Sequence, residues 1–257
     1  MPNILKIGRY FLALPLLVFA MQYLVFGKYL GGLPPMPPWA QGAGFGAYPV
    51  GLLLPATSAA IFIDRQARML SLVTGAWFVF CFLVFHLQHA SSVWSNGTDR
   101  TRALETLCIG AGLLALAALS PAESFRGPSA NGNRKLILAS RITFGISMVI
   151  FGWQHFMYAQ FLVNLVQSWL PAHAFWIYFT GTAMMAAGLA IATGVLARVA
   201  GICLGIMFVL WFLTLHLPRV LAAIHNQDEI TSMFVALAFG GISLIFAASI
   251  EKSISGT

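Results

Sequence analysis

Charge is what this sequence has least of. Only 8% of its 257 residues are Asp, Glu, Lys or Arg, and just seven are acidic. An ordinary soluble domain carries about a quarter charged residues, so a water-covered globule is excluded. Cysteine is scarce as well: Cys81, Cys108 and Cys203 show no CxxC or CxxCH spacing. That excludes a redox dithiol, a zinc knuckle and an attached haem, and leaves three small apolar core residues. There is no P-loop, no GxGxxG behind a strand and no GxSxG, which removes phosphate-cradling, dinucleotide-binding and serine-hydrolase chemistry. All seven acidic residues fall at span ends or in loops as read here, which disfavours ion-driven transport. The net charge of +7 is scattered rather than clustered with aromatics, so no nucleic-acid partner is expected.

What the chain does contain is hydrocarbon. Hydrophobic residues make up 59% of it, and mean hydropathy is +0.84. Mostly apolar runs recur at 10–27, 43–63, 70–88, 104–120, 142–160, 175–196, 199–217 and 231–249. Each is long enough to cross a hydrocarbon core of ~30 Å as a helix. They lack the period-2 alternation of barrel strands. The expectation is an all-α polytopic membrane protein with eight transmembrane helices and a lipid bilayer around it. With the N-terminus inside, Lys6, Arg9, Arg65, Arg68, Arg126, Arg134, Lys135, Arg141, Arg198 and Lys252 fall on the cytoplasmic side. Lys28, Arg100, Arg102 and Arg219 remain outside, the asymmetry of the positive-inside rule. Both termini are then cytoplasmic.

The chain also repeats itself. GRYFLALPLLVFAMQYLVF aligns without a gap on SRITFGISMVIFGWQHFMY 132 positions later, placing Arg9 on Arg141, Gln22 on Gln154 and Tyr23 on His155. At an offset of 130, Tyr48 and Gly51 match Tyr178 and Gly181, and FLVFHLQHASSVWSN matches FLTLHLPRVLAAIHN. His86 falls on His216 and Asn96 on Asn226. This predicts two pseudo-symmetric four-helix bundles in one orientation, residues 1–120 and 141–257, joined by a cytoplasmic linker over 121–140. The first apolar run resembles a signal sequence, yet its second copy lies mid-chain, so it reads as a structural helix. Small residues are expected at helix contacts, among them Gly201, Gly205, Ala183, Ala186, Ala187 and Gly188.

Polar side chains stand out against this background. Fourteen residues at ~1.5 Å each carry the chain from Arg141 to His155, about 21 Å up and in the outer part of the core. Similar counting from Arg68 and Arg198 places His86 and His216 near the outer span ends, and His89, His173 and His225 in or beside outer loops. Imidazoles so grouped hydrogen-bond neighbouring backbone and water, or hold a ligand and move protons; both readings stand for His86 and His216. Gln22 and Gln154 read as interhelical glue or as ligand contacts. HLQH, residues 86–89, lacks an acidic partner, so no metal is expected. Asp99, Arg100, Arg102 and Glu105, with Asp228 and Glu229, fall in outer loops where the acids suit helix N-termini.

Arg141, Phe151, Gly152, His155, Phe156, Pro171, Tyr178, Thr180 and Gly181 together resemble the pattern of the DoxX-like family of four-helix bacterial membrane proteins. The first copy keeps Arg9, Phe19, Tyr48 and Gly51, so the resemblance spans nearly the whole chain as a tandem pair. It implies a bacterial inner (cytoplasmic) membrane location and similarity to membrane subunits of thiosulfate:quinone oxidoreductases. Quinone is the implied cofactor, bound near the outer leaflet and linked to an extracytoplasmic oxidoreductase with partner subunits. His155, His86 and His216 are then the candidate catalytic residues, and Gln154, Gln22, Trp153, Tyr158 and Tyr178 the candidate quinone contacts. The family often carries a glutamate after its Tyr-Thr-Gly segment; here Met184 and Leu54 stand there. That tilts the expectation toward a binding subunit, the other reading being a non-catalytic accessory or scaffold subunit of a larger respiratory or photosynthetic complex.

Overall fold

The computed structural model describes residues 2–26, 47–87, 90–121 and 129–254; Lys28, Trp39, His89 and Arg126 lie outside them. Among the described residues there is helix and no strand. The elements are α1 (Pro2–Phe26), α2 (Ala47–Ile63), α3 (Ala67–Cys81), α4 (Ala90–Ser95), α5 (Gly97–Leu119) and α6 (Ala130–Met157). They continue with α7 (Ala159–Val163), α8 (His173–Thr193), α9 (Ala197–Trp211), α10 (Leu217–Ala222) and α11 (Gln227–Ile254). Among the described residues seven helical stretches are long and apolar enough to cross a membrane, and Tyr48–Ile63 is a shorter apolar helix. Within lipid such segments are driven to helix because every backbone N–H and C=O must find a partner inside the chain.

Several boundaries differ from the hydropathy reading, for local reasons. α5 begins at Gly97, seven residues before the expected 104, because the Asn96 side chain caps it by accepting the Thr98 N–H at 2.9 Å. Glu105 therefore stands two turns inside a helix rather than in a loop. α6 likewise begins at Ala130, capped by the Ser129 hydroxyl, which accepts from Gly132 N–H at 3.2 Å. The second half of the expected linker is thus helical. Asn226 repeats the device before α11, accepting the Asp228 N–H at 3.0 Å. Asp99, Asp228 and Glu229 lie in first turns, where negative charge is favoured.

α5 and α11 are the most buried of the long helices and pack on each other centrally. α1 packs on α2 and on α11; α6 packs on α8 and on α5. Each half therefore lends its first long helix to the last helix of the other. The polar contacts follow the same exchange. Gln22 on α1 donates to the Gln227 side chain at 3.0 Å and accepts from Thr231 at 3.3 Å on α11. Gln154 on α6 donates to Thr101 on α5 at 3.0 Å. At the opposite end Arg9 pairs with Asp64 in the α2–α3 turn, and Arg68 donates to Asn133 at 3.1 Å.

α6 and α8 approach through glycine. A Cβ on Gly145 would lie 2.5 Å from the Gly188 carbonyl oxygen, and one on Gly188 equally close to that of Gly145. Gly152 and Gly181 repeat the contact one heptad along. Gly201 and Gly205 meet α11 as expected of small interface residues. Ala183 and Ala186 do not serve that purpose: they line an open cleft instead.

Candidate functional site

α3 and α9 each run into a five-residue π-helical segment, Phe82–His86 and Phe212–His216. Such an insertion shifts the helical register and is frequent at functional positions. In both cases the segment closes on the histidine singled out by the repeat. His216 faces a cavity of about 1360 Å³ walled by α5, α6, α8, α9 and the start of α11. Ala183, Ala186, Ala190, Val199, Cys203 and Met207 belong to its apolar flank. Its polar end gathers Thr101, Arg102, Glu105, Gln154, His155, Tyr158, His216, Arg219, Asp228 and Glu229. Phe179, Leu196, Val199, Ile206 and Leu210 line the cavity and are exposed, so it opens sideways, between α8 and α9, on the face where apolar residues meet lipid. An amphiphile fits that shape: a long apolar slot with hydrogen-bonding groups at one end.

His155 is held on two sides. Its Nδ1 lies 2.8 Å from the Phe151 carbonyl oxygen, one helical turn back, and its ring stacks on Trp211 at 5.7 Å with planes 22° apart. Trp211 in turn packs edge-on against Phe208 at 5.5 Å. The imidazole is thereby held in orientation by its own helix and by α9. His216 is half-buried, and its Nδ1 is enclosed with no hydrogen-bond partner among the described residues. Arg219 and Glu229 form an ion pair beside it, joining α10 to α11.

Behind this wall sits Arg100, a residue that sequence counting assigned to an outer loop. It is 3% exposed. Its Nε donates to the Gln154 side-chain oxygen, and its other nitrogens donate to the Trp94 carbonyl at 2.9 Å and the Tyr158 hydroxyl at 3.2 Å. The guanidinium also lies 5.5 Å from the Trp153 ring centroid and 5.9 Å from that of Tyr158, within cation–π range. The signal for it was the mismatch in the repeat, where Ile230 stands opposite Arg100.

The structure thus brings His155, His216, Gln154 and Tyr158 to one cavity and leaves the other candidates apart. His86 is buried in the first half, its ring 6.1 Å from that of Phe82. Gln22 is committed to α11. Trp153 lies against Arg100 rather than on the cavity, and Tyr178 is exposed and packs on Phe156 at 5.6 Å. Gln154 lines the cavity, yet its oxygen is taken by Arg100 and one N–H by Thr101, so it braces the wall more than it offers a ligand contact. Glu105 is the residue the reading missed, a carboxylate delivered to the cavity by the early start of α5. No group of three or more His, Cys, Asp or Glu that could hold a metal occurs among the described residues.

No family model matches this chain, and it has no detectable match among curated proteins or solved structures.

Cys203 provides a built-in reporter. It is exposed on the cleft wall, whereas Cys81 and Cys108 are buried. A membrane-permeant maleimide is expected to modify one thiol per chain in folded protein, and peptide mass mapping should place it on Cys203. Modification of Cys81 or Cys108 at a similar rate contradicts this packing.

Proposed function

We propose that this multi-pass membrane protein binds a quinone or similar lipophilic redox partner in the cleft between α8 and α9, as a membrane subunit serving an extracytoplasmic oxidoreductase. The observation that carries the reading is the gathering of His155, His216 and Tyr158 at one end of an otherwise apolar, side-opening cavity. A tail reaches the slot from the bilayer without crossing water, and the polar end supplies hydrogen bonds and a proton carrier to the ring. The sequence has no CxxC or CxxCH motif for an attached redox centre, and in this reading a partner subunit supplies the electrons.

The architecture we propose with it is a duplicated DoxX-like unit with eight spans, Tyr48–Ile63 being the short one, in a bacterial inner membrane. The paired Gln22–Thr231 and Gln154–Thr101 contacts, the two π segments and the two Asn caps support duplication. With both termini cytoplasmic, as the charge asymmetry favours, the polar end of the cleft lies at the outer leaflet.

The test is quinone retention. Protein purified in mild detergent should carry extractable quinone, and the His155→Ala, His216→Ala double variant should retain at least tenfold less while keeping its helical circular dichroism. Equal retention in a folded double variant rules the site out. An accessory-subunit role shows itself as stable co-purifying partners with no bound quinone.

A further inference from the structure

The hydrogen-bonding state of His155 sets a condition on what the cleft accepts. A neutral imidazole has one N–H and one lone pair, and the partner of one nitrogen fixes the role of the other. The Phe151 carbonyl can only accept, and it lies 2.8 Å from Nδ1. The proton of the neutral ring therefore sits on Nδ1, and Nε2 is left as an acceptor. The contact is within one turn of a helix, and a half-turn of the ring would put a carbon against the Phe151 carbonyl and lose this hydrogen bond while keeping the stacking on Trp211. A ketone or quinone oxygen is itself an acceptor and meets Nε2 lone pair to lone pair, unless the ring takes up a second proton. A hydroxyl meets it correctly.

We infer that the occupant is recognised as a hydrogen-bond donor: a hydroxyl-bearing ring on an apolar chain, its O–H on His155 Nε2 and its chain along the Ala183–Cys203 slot. This rests on the proposed lipophilic site and adds to it the form that binds, the hydroquinone or another phenol rather than the quinone. The Asp228 and Glu105 carboxylates on the same cavity wall give further places for a hydroxyl to donate. Arg102 is the cation at this end that is not engaged in the Arg219–Glu229 pair.

The experiment uses the full chain in lipid nanodiscs and reads the rate of Cys203 alkylation by a membrane-permeant maleimide, which an occupied slot slows. The probes are 4-decylphenol and its methyl ether, a redox-inert pair differing in one donor, and a fully substituted decyl benzoquinone with its hydroquinone kept anaerobic. Phenol and hydroquinone are expected to protect at concentrations about tenfold lower than ether and quinone, the discrimination typical of a site whose polar group is left unpaired by the wrong ligand. His155→Phe keeps an aromatic ring against Trp211 but removes the acceptor, and should bring the members of each pair to parity. Equal protection by phenol and ether in the native chain, or a preference that survives in His155→Phe, overturns the donor rule while leaving the lipophilic site intact. No protection by any probe overturns the site itself and the rule with it.

Discussion

Arg100→Met is expected to destabilise the protein by about 3 kcal/mol, because each buried partner left without its hydrogen bond costs roughly 1–3 kcal/mol. Three groups lose a donor at once: the Gln154 oxygen, the Trp94 carbonyl and the Tyr158 hydroxyl. The two aromatic rings lose a cation as well. Methionine fills the space without replacing any of these. Arg100→Lys keeps the charge but has no planar fork to reach three acceptors, so it should recover less than half of the loss. Unfolding in mixed micelles, followed by tryptophan fluorescence, measures both. Because Gln154 and Tyr158 also line the cleft, ligand retention should fall in parallel. A loss below about 1 kcal/mol, the worth of an ordinary hydrogen bond, contradicts the central role given to this residue.

Gly188→Leu is the second large effect. The added Cβ alone would stand 2.5 Å from the Gly145 carbonyl oxygen and 2.9 Å from the Met148 Cβ, and neither backbone nor a Cβ can swing aside. α8 must move off α6, at a cost of about 3 kcal/mol, the upper end of what overpacking produces. Ala186→Leu, on the same helix but on its exposed, cleft-lining side, should cost less than about 1 kcal/mol, as exposed substitutions away from tight contacts do. Equal costs for the two variants contradict the glycine-mediated contact.

The fold was largely legible because its cause is compositional. Apolar runs of bilayer length specify helices whatever their neighbours do, and the alignment of Gln22 on Gln154 pointed to two side chains that each hydrogen-bond a threonine on another helix, Thr231 and Thr101. Helix starts were less legible. Hydropathy sees the apolar stretch, whereas Asn96 and Ser129 begin their helices in polar sequence through a single capping bond each. That is why Arg100 and Glu105 were assigned to a loop when they belong to α5. The site divided along similar lines. His155 and His216 were visible as polar residues in apolar runs, but repeat symmetry gave His86 and Gln22 equal standing, and the described cavity lies on the second-half helices and α5. Nothing in a linear pattern shows which way α8 and α9 splay, and so Ala183 and Ala186 read as packing residues when they wall a cleft.

The account stands or falls on that cleft being occupied. Native mass spectrometry of the chain released from lipid nanodiscs, beside an Ala183→Trp variant whose indole fills the slot, is the most direct measurement. One tightly held lipophilic adduct on the native chain, absent from folded Ala183→Trp, is the predicted result. A bare native chain, or the same adduct on both proteins, contradicts it.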